Sequence, residues 1–563
     1  MTTAQPLNVV FYWHMHQPFY RDAEQGDYHL PWVYLHAMKE YTDMAAVLEA
    51  VPGARAVVNY VPSLTAQLEE YTQNIRAYLD GKADTMHDPL LDALVNNQAY
   101  SAEQRNYLLK SCFRLEHGNN LHRYPAYSRL WHLAEHCQSH PDQSYLSNDY
   151  FTDLVTWYHL GWLAETIREP HYVAHRLFEK ERQFTLQDRR DLLSLIATLI
   201  AEVPLRYRAL HEAGAIELTT TPYAHPIIPL MLDFNTARET VPDAMIPATA
   251  YPGAQARAEE HIALAQASHQ RYFNHPAQGC WPAEGAVSDA TLGLLADAGF
   301  DWCATGEGIL HNSLKQNIRN DQPHALYQPW LAGEGERRLP CFFRDDNLSD
   351  LIGFQYKSWD TNDAVANFMH ELSLIRERTK GMKAPIVSII MDGENAWEHY
   401  YRNGIPFLRT LYQAVVDHPD YCMTTFSDYL PHCPKPQRLE SLTAGSWVYG
   451  NLSTWMGDRA KTRAWELLVE AKVAYDEAFE ALDDTQQEAA TAQLCICEGS
   501  DWFWWFGDYN ASDVVQDFDR LYRQHLRRLY TLLQRTPPAS LDATISLGGG
   551  AAEDGGAMRR GNA

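Results

Sequence analysis

Several short, almost wholly apolar runs punctuate the first three quarters of the chain, each ending in polar residues: 7–13 (LNVVFYW), 56–60 (AVVNY), 215–221 (AIELTTT), 299–305 (GFDWCAT) and 386–391 (IVSIIM). Runs of this length without polar alternation predict strands buried on both faces. Longer segments with helical spacing lie between them, among them 191–202 and 257–268. Strands alternating with helices predict a mainly parallel sheet, of the α/β class. In parallel barrels the C-terminal strand ends build the active site, so polar residues after these runs are expected to converge.

The pattern changes near residue 440. Apolar positions recur at Trp465, Leu468, Ala471, Tyr475, Phe479 and Leu482, and again at Phe518, Tyr522, Leu526, Leu529 and Leu533. Both are helical stripes, the second with Ser512 and Asp513 as candidate caps. The predicted organisation is a catalytic domain over 1–435, a helical domain over 436–536, and a disordered tail over 537–563 rich in glycine and alanine. No internal repeat is evident.

Composition narrows the partners. The net charge is −26, which repels the phosphates of nucleic acids and anionic membranes but not a neutral polymer such as a polysaccharide. No run of 18 apolar residues predicts a membrane span, and the start, MTTAQPLNVVFYW, lacks the basic and apolar regions of a secretory leader. The 9 cysteines are odd in number and lack metal-ligand spacing, so a reducing, cytoplasmic setting is expected. Aromatic residues make up 12%, which serves either a large core or a cleft that stacks on pyranose rings.

Two carboxylates stand out. Glu284 in CWPAEGAVS (280–288) sits where a strand breaks into a loop, sheltered by apolar neighbours. A carboxylate in that setting has either a task or a partner. Asp392 directly follows the apolar run in APIVSIIMDGENAWEHY (384–400), while Glu394 and Glu398 are read as capping and first-turn residues of a following helix. Two acids on different strand ends are what glycoside hydrolysis requires, one to attack the anomeric carbon and one to protonate the leaving oxygen. His14 and His16 in HMHQPFY (14–20) share a strand face, a spacing that also suits a zinc hydrolase such as a metal-dependent deacetylase or amidohydrolase. His225 in ELTTTPYAHPIIPLM (217–231) lies in a loop stiffened by prolines, and CEGSDWFWWFGDY (497–509) sets Asp501 beside Trp502, Trp504 and Trp505.

Together these segments resemble glycoside hydrolase family 57. Its five short regions have counterparts in order: HMHQP, TTTPYAHPIIPL, CWPAEGAVS, IMDGENAWE and EGSDWFWW. NYVPSLTAQLEEY (59–71), FRDDNLSDLIGFQY (343–356) and AGSWVYGNLSTWMG (444–457) are also similar to that family, and the resemblance spans about 7–532. It implies an incomplete seven-stranded (β/α) barrel, a helical bundle closing over the cleft, and retaining hydrolysis without a metal or other cofactor. Glu284 would be the nucleophile and Asp392 the general acid/base. His14, His16, His225, Trp281, Trp397, Asp501 and Trp502 would bind an α-glucan. The wording WPAEGAVS, HPIIPL and DGENAWE is similar to the α-amylase and amylopullulanase group rather than to branching enzymes or 4-α-glucanotransferases. Ala224, where bulkier residues are common, departs from the pattern.

Overall fold

The computed structural model describes residues 6–24, 26–115, 117–138, 145–315 and 321–550. Ten strands form one sheet: β1 (Leu7–Met15), β2 (Ala56–Tyr60), β3 (Ile216–Thr220), β4 (Gly279–Cys280), β5 (Trp302–Thr305), β6 (Trp330–Glu334), β7 (Arg337–Phe343), β8 (Ile386–Asp392), β9 (Tyr421–Met423) and β10 (Gln437–Arg438). The order is β10-β6-β7-β5-β4-β3-β2-β1-β8, with β9 on β1. All neighbours from β8 through β1 to β7 are parallel, and the hairpin of β6 and β7 is antiparallel. A parallel bridge between Arg344, just past β7, and Ser388 of β8 curls the sheet back on itself.

The expected strands are present, with β2 over its predicted residues. The expected helices lie inside longer ones, Leu186–Glu212 and Ala254–Phe273. Sequence patterning missed β6, β7, β9 and β10, and gave no apolar run for β4, because these strands are too short or too polar to carry one.

Strand periodicity positions the site. In β1, Val9, Phe11 and Trp13 join the large core beneath the helices, whereas Val10 and Tyr12 join a second buried cluster with Val57, Trp281, Trp302, Phe342, Ile386 and Ile390. Side chains two apart share a face. His14 therefore continues the inner series of β1, Asn59 that of β2, and Asp392 that of β8. Pairing of His14 with both Asn59 and Asp392 puts the three in one row at the strand ends.

Beyond the sheet, helices Arg459–Ala478, Asp484–Cys497, Asp501–Trp505 and Ser512–Leu532 pack together. The last buries Phe518, Tyr522, Leu526 and Leu529 as its stripe predicts, but it starts from Ala511 without a side-chain cap. The expectation of a disordered tail fails for 537–550. Leu541 is buried, and the backbone N–H groups of Ile545 and Ser546 donate to Asp519 Oδ1. A buried leucine and bonds to a buried carboxylate help hold a segment that has no apolar periodicity. Residues 551–563 of the predicted tail lie outside the described residues. Among the described residues, no helix is long and apolar enough to cross a membrane.

Candidate active site

Glu284 and Asp392 open into one cavity of about 300 Å³, which His14, His16, Arg344, Glu394, Trp447, Asp501, Trp504 and Trp505 also line. Glu284 lies on a tight turn just after β4 with φ 58°, and Gly285 follows at φ 60°. A left-handed glutamate is costly, on the order of 1 kcal/mol, and such strain collects at functional sites. Gly285 is required, because a Cβ there would sit 2.9 Å from the Trp281 ring. Oε2 of Glu284 accepts the indole N–H of Trp447 at 2.9 Å, and Oε1 lies 4.0 Å from Nδ1 of His225.

Asp392 ends β8 and accepts from Nδ2 of Asn395 at 2.9 Å. Burial pushes its carboxyl above the ordinary aspartate range, against the opposing pull of Asn395, His16 and Arg344. A carboxyl whose acid form is favoured by burial is suited to act as a general acid. Glu394 caps no helix, and Glu398 lies in the first turn of only a single-turn 3-10 helix, Trp397–His399. The chain runs from Asp392 through turns, and the next long helix, Ile405–Asp417, begins only after left-handed Arg402 and Asn403. Glu394 is instead buried against the cavity, its Oε1 accepting from Gln17 at 3.0 Å. Burial, with Asp392 nearby, raises its carboxyl well above the usual range.

The histidines form a second wall. Nδ1 of His14 is 2.6 Å from Oδ1 of Asn59, Nε2 of His14 is 3.2 Å from Nε2 of His225, and Nδ1 of His225 is 2.8 Å from Oγ of Ser500. Burial, then the neighbouring His16, lowers His14 to about 3 and His225 well below its ordinary value, so both are neutral at pH 7. Each neutral ring carries one N–H. His14 must donate to Asn59, His225 Nε2–H to His14, and the Ser500 hydroxyl to His225. Beside them, Nε2 of His16 contacts Oδ1 of Asp501 at 2.9 Å, and the His16 ring stacks on His225 at 3.9 Å and 19°. Ser500 and Asp501, adjacent residues of the C-terminal helical region, thus grip two histidines of the sheet region.

Among the described residues, two side-chain groups bring possible metal donors within reach of one another. In His16, His225 and Asp501, the rings are stacked nearly parallel, so their lone pairs do not converge, and both nitrogens of His225 are already engaged. In His261, Cys495 and Glu498, the cation place is taken by Arg257, which donates to both Glu498 oxygens and to Cys495. Neither donor set fits a metal ion.

Three expected sugar contacts lie elsewhere. Trp281 and Trp397 are fully buried, Trp281 in the inner cluster and Trp397 against Trp13 and Tyr400. Trp502 packs on Phe518, Tyr522 and His525, and its indole donates to the carbonyl of Ile496. Helix geometry sends Trp502 inward and leaves Trp504 and Trp505 to the cavity. His225 is also fully buried, one ring behind the surface. Arg344, Trp447, Asn59 and Ser500 were not singled out from sequence, although all but Ser500 stand in segments flagged outside the five regions.

A family model, Glycosyl hydrolase family 57, matches residues 10–440. No curated protein matches the chain. Among solved structures, the α-amylase AmyC from Thermotoga maritima aligns over 94% of this chain and 93% of its own, at 13% identity and TM-score 0.57. A branching enzyme from Thermococcus kodakaraensis aligns over 93% and 90%, at 16% identity and TM-score 0.58. A 4-α-glucanotransferase from Thermococcus litoralis aligns over 93% of this chain and 60% of its own, at 12% identity and TM-score 0.52.

Proposed function

The chain belongs to glycosyl hydrolase family 57, and on that footing we propose that it is a retaining hydrolase of α-glucosidic bonds. Its substrates are glycogen, starch or maltodextrins, and its type is α-amylase or amylopullulanase. Glu284 attacks the anomeric carbon while Asp392 gives its proton to the leaving oxygen. Asp392 then takes a proton from the incoming water as that water opens the glycosyl–Glu284 ester. The observation that carries this is one shared cavity for two carboxyls of different character. Glu284 is held by an indole N–H, and burial favours the protonated form of Asp392.

We read the curled sheet as the family's incomplete seven-stranded (β/α) barrel, ending near residue 435, and the helices of 436–536 as a cover that lends Asp501 to the cleft. Sugar rings would meet His14, His16 and the exposed faces of Trp447, Trp504 and Trp505. Two carboxyls suffice for this chemistry, so no metal or cofactor is invoked. The described cysteines are all unpaired, which supports a reducing compartment such as the cytoplasm. With a net charge of −26, neither nucleic acid nor membrane is a partner we propose.

Transfer to a sugar hydroxyl instead of water is the second reading, favoured by the aromatic wall of Trp447, Trp504 and Trp505, which could hold an acceptor. Incubation with maltoheptaose, and separately with pullulan, amylose and glycogen, with products resolved by size, tests both. Only shorter products are expected. Longer products would establish transfer, and no turnover on any α-glucan would overturn the proposal.

A further inference from the structure

Arg344 follows β7 directly and is only 4% exposed, a rare condition for arginine. Its backbone N–H donates to the carbonyl of Thr305, and its bridge to Ser388 closes the sheet onto β8. The side chain then runs along β8. Nε donates to the carbonyl of Ile390, two residues before Asp392, at 2.8 Å, while Nη1 meets Oδ1 of Asp346 at 2.6 Å and Nη2 meets Oδ1 of Asp350 at 2.8 Å. The guanidinium lies over the Trp447 ring at 5.4 Å, and that ring's N–H holds Glu284. One rigid cation therefore touches the strand that ends in Asp392 and the indole that fixes Glu284, and it faces the cavity between them.

A retaining cycle asks opposite things of Asp392, which must be protonated in the first half and ionised in the second. Burial serves only the first. We infer that Arg344 is a positioning residue whose fixed charge keeps Asp392 able to ionise for the second half, an inference that rests on the function proposed above. The groups facing Asp392 are His14 at the end of β1, His16 just past it, Glu394 and Asn395 from the turn after β8, and Arg344. Asn395 assists ionisation by hydrogen bonding, His16 and then Arg344 assist it electrostatically, and His14 is neutral. Burial works against the charge of Arg344, but Asp350 and Asp346 outweigh it and hold the guanidinium charged. Glu307, whose Oε2 accepts the Asp346 N–H, completes the acids around it.

The test is the pH dependence of kcat/KM on maltoheptaose for the wild type, Arg344→Met, Arg344→Lys and Asp350→Asn, each checked for folding by thermal melting. Loss of the cation in Arg344→Met raises the pH at which the basic limb falls by about 0.5–1 unit. Arg344→Lys, which keeps the charge, holds the limb near the wild-type position. Asp350→Asn strips a counter-charge from the guanidinium and moves the limb the opposite way. A folded Arg344→Met enzyme that loses kcat with its basic limb unmoved overturns the inference and leaves Asp392 as the acid/base. If Arg344→Met does not fold, an unmoved limb in Asp350→Asn overturns it alone. A wild type without turnover on any α-glucan removes the functional proposal, and this inference with it.

Discussion

The indole N–H of Trp447 donates to Oε2 of Glu284 at 2.9 Å, and the Trp447 backbone N–H donates to the Glu284 carbonyl at 3.1 Å. The proposed nucleophile, on a strained turn, is thus held at both ends by one residue, 163 positions away in sequence. Trp447→Phe keeps an aromatic ring and the backbone bond but removes the side-chain donor. It should lower kcat by roughly 10–100-fold with little change in melting temperature, since fixed donors at a reacting group contribute at this scale. Glu284→Gln should fold normally and lose turnover altogether. Near-wild-type kcat in either purified variant would remove that residue from its assigned role.

Asp392 should trade stability for activity. A carboxyl whose folded pKa is raised binds more protons folded than unfolded. Its favourable contribution is complete below the unfolded aspartate pKa and is lost as pH rises through the raised value. Asparagine never ionises and can still accept from Asn395. Asp392→Asn should therefore be inactive, more stable than the parent at pH 7, and equal to it near pH 3. Melting curves across that range decide the point, and a variant less stable at pH 7 would contradict the burial argument.

The C-terminal helices are tested by separating Asp501 from Trp502. Asp501 contacts His16 at the cavity, so Asp501→Asn should keep the melting temperature and lose most of kcat/KM. Trp502 is buried among Phe518, Tyr522 and His525, so Trp502→Ala should cost about 3–5 kcal/mol of stability. If both fold and turn over maltodextrin like the parent, the helical region is a scaffold only.

Much of this was legible in the sequence because apolar runs and their polar ends are local signals. The run 386–391 forecast β8 and with it the place of Asp392, and CWPAEG forecast a sheltered Glu284 although β4 itself is only two residues long. What escaped was orientation. A tryptophan beside a candidate site residue can face the cleft or the core, and Trp281, Trp397 and Trp502 take the core. Nor does any local pattern reveal that Arg344 reaches along β8, or that Ser500 completes a hydrogen-bonded row begun by Asn59, since those contacts depend on strand order and domain packing.

The segment after Pro537 gives the sharpest contrast between composition and structure. Its glycines and alanines suggest a dispensable tail, yet Leu541 is buried beside the Ser512–Leu532 helix, and Arg523 donates to its carbonyl at 3.1 Å. Oγ of Ser546 accepts the N–H of Gly507, and the N–H groups of Gly549 and Gly550 donate to the carbonyl of Asn510. Asn510 in turn donates to the carbonyls of Trp504 and Trp505, and all three line the cavity. Truncation before Pro537 removes a buried leucine and these bonds, a loss of about 2–4 kcal/mol. Activity should fall with it, because the loop that seats Trp504 and Trp505 loses its support. Truncation after Gly550 retains every one of these contacts and should leave melting temperature and kcat/KM at parental values. A chain ending at residue 536 that melts and turns over like the full-length protein would show that the packing of Leu541 contributes nothing.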